Sequence, residues 1–339
     1  MANKKRNRPY ETVIILLLTT ILLALVIMIA LMLHQMGYLG NLKLPKLPFL
    51  EEWGISLPTS DKTDPVPYTE GQVKVCFIDV EQGDSTLIVA PEATVLIDGG
   101  TPGQADTIYS LLKEQGIGHL DYVINTHPHS DHVGGLAQVV KNLGKGGVEK
   151  VLITDYPDHL EPNIQSWPDF LYNAKAVGAE IETAQPGMVL DLGEEAALTI
   201  LGPTKLYDDM NDDSVVCRLD FGTASFLFTG DSGVQAIRDI KDAQGQTEAD
   251  ILKLGHHGSS SSTDSVVLRL VDPKAAVISC GAENDYGHPH REVTSLLEEQ
   301  NIPCLRTDLQ GTVWAVTDGS SIAITTHHGQ QEPLLIDSN

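Results

Sequence analysis

Between Ile124 and Gly135 the chain reads INTHPHSDHVGG, which puts three histidines and an aspartate into the six residues from His127 to His132. Such crowding is either a metal site or a polar surface loop that happens to be rich in histidine, and the segments downstream decide between them. Pro128 holds His127 extended. In an extended chain residues i and i+2 project to the same side, so His127 and His129 can address one ion. Asp131 and His132 begin the next element and can face a neighbouring ion. Imidazole combined with carboxylate suits zinc, and a more oxygen-rich set moves toward manganese.

Two further segments end a strand-like run in a side chain of the same type. FLFTGDS ends in Asp231, and ILKLGHHGS ends in His256 and His257. Strand-end loops converge at one edge of an α/β sheet, so ligands distant in sequence can meet there. The remaining pattern agrees with that class. Strands are predicted at VKVCFIDV, STLIVA, ATVLIDGG, DYVINTH, SVVCRLDF, ASFLFTGD, DILKLG and KAAVIS. Helices are predicted over residues 105–115 and near His132, Ser232, Asp264 and Glu292, and TVWAVTD with SIAITTH forms a closing hairpin around DGS. Two β-rich halves with helices between them predict two sheets packed face to face beneath outer helices.

The flanks carry a different message. Residues 13–33, VIILLLTTILLALVIMIALML, form a 21-residue run without a charge, long enough to cross about 30 Å of hydrocarbon as a helix. It exceeds the apolar region of a secretory signal and has no convincing cleavage site after it, which predicts an uncleaved single-pass anchor. Lys4, Lys5, Arg6 and Arg8 precede it and only Lys43 and Lys46 follow closely, so residues 1–12 are expected in the cytoplasm and the rest outside the cell membrane. Residues 34–72, with five prolines, read as a linker, residues 73–327 as the folded domain and residues 328–339 as a loose tail.

The whole chain carries a net charge of −24, and residues 1–40 hold four of its 22 basic and one of its 46 acidic residues. The remainder therefore sets 18 basic residues against 45 acidic ones, a net charge of −27. This opposes broad, sequence-independent binding to nucleic acid and leaves room for a local phosphate site built around cations. Cys76, Cys217, Cys280 and Cys304 show no zinc-ligand spacing and read as small buried hydrophobes.

Taken together, LIDGG, THPHSDHVGG, FTGDS and KLGHHGS resemble the metallo-β-lactamase superfamily. More narrowly, FIDVEQGDSTLI, NDDSVVCRLDF, LKLGHHGSSSS and ENDYGHPH resemble the β-lactamase-like domain of ComEC-type competence proteins, over roughly residues 73–326. The resemblance implies a four-layer αββα sandwich with a site for two divalent ions, Zn2+ or Mn2+, at the sheet edge. It implies that His127 and His129 hold the first ion, Asp131 and His132 the second, and that Asp231 bridges. One of His256 and His257 would complete the second site, with His256, directly after the strand, favoured. Asp98 in LIDGG would orient a ligand as an acceptor. Members often supply a further histidine before the bridging aspartate, but here only His159 lies between His132 and Asp231. The ComEC-type group resembles this chain in having an asparagine and a serine there, Asn211 and Ser214. Glu81 stands where that group has glycine.

Two ions about 4 Å apart would acidify a shared water and stabilise charge on a phosphoryl oxygen, with Asp131 or Asp231 positioning the nucleophile. Ser214 and Lys253 are candidate phosphate contacts, the lysine as a point charge, with a surface role as its alternative. His288 in YGHPH is a candidate to bind substrate or protonate a leaving group, or else to lead into a helix. His290 is read as opening that helix, and His327 and His328 as tail residues. With the anchor predicted over residues 13–33, the resemblance implies a metal-dependent hydrolase facing outward, a phosphodiesterase or nuclease for which DNA is the substrate it points to. One anchor helix cannot form a pore, so the chain would be a catalytic part acting alone or with a separate channel protein as partner. Two alternatives stand beside this reading: a cell-surface phosphodiesterase acting on teichoic or choline-bearing polymers, and a non-catalytic metal-binding assembly protein. Hydrolysis of β-lactams is not favoured, because a fold does not fix a substrate.

Overall fold

In the computed structural model, which describes residues 71–328 and 332–338, the first half of the domain alternates strands with helices. It comprises β1 (Val73–Phe77), β2 (Thr86–Val89), β3 (Thr94–Ile97), α1 (Ala105–Glu114), β4 (Leu120–Asn125), α2 (Ser130–Val133), α3 (Leu136–Leu143), β5 (Val148–Ile153), α4 (Ser166–Val177) and β6 (Glu180–Thr183). The second half begins with β7 (Val189–Gly193), β8 (Ala196–Gly202), β9 (Val216–Phe221), β10 (Ala224–Phe228), α5 (Val234–Gln244), β11 (Ile251–Lys253) and α6 (Ser265–Val271). It ends with β12 (Ala275–Ile278), α7 (Arg291–Glu299), β13 (Cys304–Arg306), α8 (Thr307–Gln310), β14 (Val313–Thr317), β15 (Ser321–Thr326) and β16 (Leu334–Asp337). The predicted anchor over residues 13–33 and the basic segment before it lie outside the described residues. Among the described residues no helix is long and apolar enough to cross a membrane.

The strands form a nine-stranded sheet, ordered β16-β15-β14-β1-β2-β3-β4-β5-β6, and a seven-stranded sheet, ordered β13-β12-β11-β10-β9-β8-β7. Three buried clusters define the layers. Period-two alternation points Val75 and Phe77 of β1 at the facing sheet, where they join Leu198, Ile200, Phe226, Phe228 and Val277. The Phe77 and Phe228 rings meet across that interface at 6.2 Å. On the outer face of the larger sheet, Leu87, Leu96 and Val123 pack on Ile108, Leu112, Val140 and Phe170 of helices α1, α3 and α4. On the outer face of the smaller sheet, Leu227, Leu252 and Ile278 pack on Ile237, Leu268 and Leu297 of α5, α6 and α7. The result is the αββα order that the resemblance implies.

Pairing directions place the site. Strands β3, β4 and β5 run parallel, as do β10, β11 and β12, so their carboxyl ends open at one edge of each sheet. Strand β2 is antiparallel to β3, with Thr86 opposite Ile97, and β9 is antiparallel to β10, with Cys217 opposite Phe228. The residues just before β2 and β9 therefore reach the same edge.

Two features differ from the sequence reading. Residues 334–337 are not part of a loose tail: they form the edge strand β16, with Ile336 buried opposite Ile322. The short apolar run LLI behind polar GQQEP is enough to complete the free edge of β15. Between the histidine cluster and Ser214 the sequence reading assigns no strand, yet β5 to β8 lie there. The closing hairpin is present as expected, Val313 pairing with Thr326 and Thr317 with Ile322. Among the described residues all four cysteines are free, and three of them are buried.

Candidate metal centre

The site is organised from Asp98, buried at the end of β3 with a left-handed φ of 58°. Its carboxylate collects four donors: Asn125 Nδ2 at 3.1 Å, the Thr126 amide at 2.8 Å, Thr126 Oγ1 at 2.6 Å and His132 Nδ1 at 2.8 Å. Asn125 Nδ2 also donates to the His127 carbonyl at 3.0 Å. The end of β4 and the start of α2 are thus fixed to one carboxylate. With Nδ1 of His132 donating to Asp98, its Nε2 is left as the atom that faces inward.

Asp231, only 2% exposed, sits at the centre of the cluster. Its Oδ1 is 3.3 Å from His132 Nε2, and its Oδ2 lies 3.8, 3.7 and 3.8 Å from Nε2 of His127, His256 and His257. Its own amide donates to Ser214 Oγ at 3.1 Å. His127 is fully buried, with Nδ1 3.2 Å from Ser214 Oγ and Nε2 2.9 Å from His129 Nδ1. The Asn211 side chain reaches His129. Ser214 therefore braces His127 and Asp231, and Asn211 lies beside His129. Ser214 was expected to contact a phosphate; its burial and its bonds to His127 and Asp231 give it a positioning role instead.

The two histidines after β11 separate cleanly. His257 is 1% exposed and points inward, with Nε2 3.1 Å from Asp131 Oδ2 and Nδ1 3.0 Å from the Ser279 carbonyl. The His256 side chain is 29% exposed, with Nδ1 3.5 Å from Ser261 Oγ. Both adopt left-handed backbone angles, φ 50° and 55°, and this tight turn rotates the second residue, not the first, into the interior. The geometry thus favours His257 over His256 as the ligand.

Ligand atoms within 4.8 Å of one another come from His127, His132 and Asp231, from Asp131, His132 and His257, and from Asp84, Asp231 and His257. Nε2 of His132 and Oδ1 of Asp231 are buried facing each other at 3.3 Å with no well-formed hydrogen bond, and Oδ1 of Asp84 meets His257 Nδ1 at 3.3 Å. Buried polar atoms are rarely left so, and a nitrogen and a carboxylate oxygen facing each other fit a divalent cation. The electrostatics agree. Burial, then His132, hold His127 and His129 below the usual imidazole range, as neutral nitrogen donors. Burial opposes charge on His132 and His257 as well, yet Asp231 and the other carboxylates raise both, His257 to about 10. Burial also works against the Asp131 and Asp231 carboxylates, which the neighbouring histidines nonetheless hold low. This half of the site draws in positive charge.

Asp84 escaped the sequence reading, although it stands in the quoted QGDS. It comes from the start of the antiparallel β2, so the rule that ligands follow strands passes over it. Lys253, expected near a phosphate or on the surface, is 3% exposed and gives its Nζ to Asp84 Oδ2 at 2.7 Å and to the Leu254 carbonyl at 2.9 Å. A lysine on a strand buried on both faces must find such a partner. His288 stands at the rim, its ring 5.3 Å from His256 and 5.9 Å from His257, and burial followed by these neighbours lowers it to about 4. His290 precedes α7 and accepts the Ser260 amide through Nδ1 at 3.1 Å. His159 pairs with Asp208 on the surface, and His327 and His328 are tied by their amides to Thr312 and Gln310.

Because Asp98 sets the ring orientation of His132, Asp98→Asn is expected to weaken metal binding by about 10- to 100-fold. Competition titration against a chromophoric chelator measures this directly, and an unchanged affinity would remove Asp98 from the site.

Comparison with known proteins agrees with this architecture. The family model of the metallo-beta-lactamase superfamily matches residues 78–282, and the chain belongs to that superfamily. It is 30% identical over 268 residues to ComE operon protein 3 of Bacillus subtilis (strain 168), aligning 73% of this chain with 33% of that protein. It is 31% identical over 277 residues to Competence protein ComA of Neisseria gonorrhoeae, aligning 80% of this chain with 36% of that one. The chain thus spans about a third of the length of these curated relatives. Among solved structures, the metallo-beta-lactamase fold protein YhfI from Bacillus subtilis superposes with a TM-score of 0.46 at 16% identity, over 69% of this chain and 95% of that one. The protein is a superfamily hydrolase related to competence proteins.

Proposed function

We propose that this chain is a two-metal phosphodiesterase that cuts DNA, anchored by residues 13–33 with its hydrolase domain outside the membrane. The observation that carries the hydrolytic reading is the central position of Asp231, whose two oxygens approach ring nitrogens of four histidines at 3.3 to 3.8 Å. A carboxylate so placed suits a bridge between two ions. His127, with His129 beside it, would hold one divalent cation, Zn2+ or Mn2+, and Asp131, His132 and His257 the other. Bound there, the pair supplies Lewis acidity at a phosphoryl oxygen and a nucleophile from water at neutral pH. The protein fixes the ring orientations through Asp98, Ser214 and the Ser279 carbonyl, so little reorganisation accompanies reaction. His288 is placed to face a substrate entering over His256 and His257.

The competence names of the relatives support DNA as the polymer; because one anchor helix cannot form a pore, the chain would act alone or with a separate channel protein. The net charge of −27 outside residues 1–40 favours a second reading, a teichoic or choline-bearing surface polymer, because it disfavours a polyanion held along its backbone. Both are tested by assaying the full chain in detergent, with Zn2+ or Mn2+, on bis(p-nitrophenyl) phosphate and on single-stranded DNA, beside His129→Ala. Turnover of both substrates, lost in the variant, is the expected result. Turnover of the small diester alone would select the surface polymer, and a metal-loaded chain inert on both would make it a binding or assembly protein.

A further inference from the structure

Tyr286 is a large aromatic side chain left 67% exposed, and it stands next to the metal centre. Its ring stacks on His288 with centroids 5.7 Å apart and planes within 16°. His288 in turn lies 5.3 Å from His256 and 5.9 Å from His257. The Asn284 side chain holds the segment rigidly: its Nδ2 donates to the Gly281 and His288 carbonyls at 2.8 and 2.6 Å, and its Oδ1 accepts the Tyr286 and His288 amides at 3.2 and 2.9 Å. The Gly281 amide ties the same loop to Gln82 at 3.1 Å, beside Asp84. The tyrosine is therefore presented at the rim with its inner face supported by His288.

From this arrangement we infer that Tyr286, backed by His288, is a stacking platform for a nucleobase flanking the bond that is cut, an assignment that rests on the phosphodiesterase reading. A hydrophobic ring held out of the core gains nothing for folding, whereas a flat partner can cover it. Stacking on an aromatic ring tolerates any base. The charge balance makes such a platform useful. With 45 acidic against 18 basic residues outside residues 1–40, the chain has few cations to neutralise a phosphate backbone, so single-strand affinity beyond the phosphate held at the metal centre is expected to come from bases. Binding at this site should accordingly vary little with salt. A bare teichoic backbone offers no flat face, whereas a choline group would meet the ring as a cation and not by base stacking, so the abasic strand is the control that isolates the base.

The test compares the full chain with Tyr286→Ala and Tyr286→Phe, on an oligodeoxythymidylate and on an abasic strand of equal length. Fluorescence anisotropy reads equilibrium affinity, and cleavage with Mn2+ reads kcat and KM. Tyr286→Ala is expected to weaken affinity and raise KM for the base-bearing strand about tenfold, to leave kcat and the abasic strand unchanged, and Tyr286→Phe to behave as wild type. Equal losses on both strands, or none, would overturn the platform. If wild type binds the base-bearing strand in a Tyr286-dependent way without cutting it, the platform stands and the phosphodiesterase reading falls. If it neither binds nor cuts either strand, both fall.

Discussion

On the two-metal phosphodiesterase proposal, Asp231→Asn is expected to reduce turnover of a phosphodiester by roughly a thousandfold and to leave the protein with less than its full complement of divalent metal. The amide keeps the size of the side chain and removes its charge. In the wild type that charge is what His127, His132, His256 and His257 share, at 3.3 to 3.8 Å. It is also the leading influence that raises His132 and His257 against burial. Without it, two ions would have to approach each other with one fewer negative charge between them. The stabilisation that metal ions give to developing charge is several kcal/mol, and each factor of ten in rate is about 1.4 kcal/mol, which gives the estimate. Measured by elemental analysis and kcat together, full metal content with unchanged turnover would show that Asp231 does not bridge. Retained metal with lost turnover would instead place its role in the reaction.

Much of this candidate centre was legible because the side chains that gather there obey a simple rule. His127 and Asp131, Asp231, and His256 with His257 all follow strands whose carboxyl ends share an edge, and alternating apolar runs reveal such strands without a structure. Asp98 was legible for the same reason, at the end of ATVLIDGG. What the pattern could not resolve depends on backbone turns and antiparallel neighbours. Choosing between His256 and His257 requires the left-handed turn that carries the second ring inward. Asp84 reaches the site from just before β2, where no rule about strand ends looks, and Ser214, just before β9, is found in the sequence only through the resemblance. Lys253 lies at a strand end of the right kind, and only its pairing with Asp84 shows where its charge is spent. The strands β5 to β8 were missed because their pattern was not separated from the surrounding helix and loops. The β16 strand was missed because four residues behind a polar stretch carry too little periodicity to stand alone.

That pairing gives the second large effect. Lys253→Met is expected to destabilise the domain by about 3–5 kcal/mol, the cost of leaving a buried carboxylate without its partner. Lys253 and Asp84 have side chains only 3% and 8% exposed and meet at 2.7 Å across 169 residues of chain. Solvent therefore does little to screen the pair or to rescue either half. Burial raises Asp84, but Lys253 and then His257 outweigh it and hold the carboxyl at about 2, below its ordinary 3.8. A depressed carboxylate stabilises the fold above its unfolded pKa, and that contribution is lost as pH falls from 3.8 toward 2. The penalty of Lys253→Met should therefore be full at neutral pH and shrink as pH falls toward 2, beginning where the stranded Asp84 of the variant takes up its proton. Denaturant melts in a chelator, which keep metal binding from masking the difference, should show this. Adding Asp84→Leu to Lys253→Met removes the stranded charge and should recover most of the loss, as buried ion pairs replaced by apolar residues often do. A phosphate-binding lysine would give the opposite pattern: little change in the melt, a raised KM for the diester, and no benefit from the second substitution.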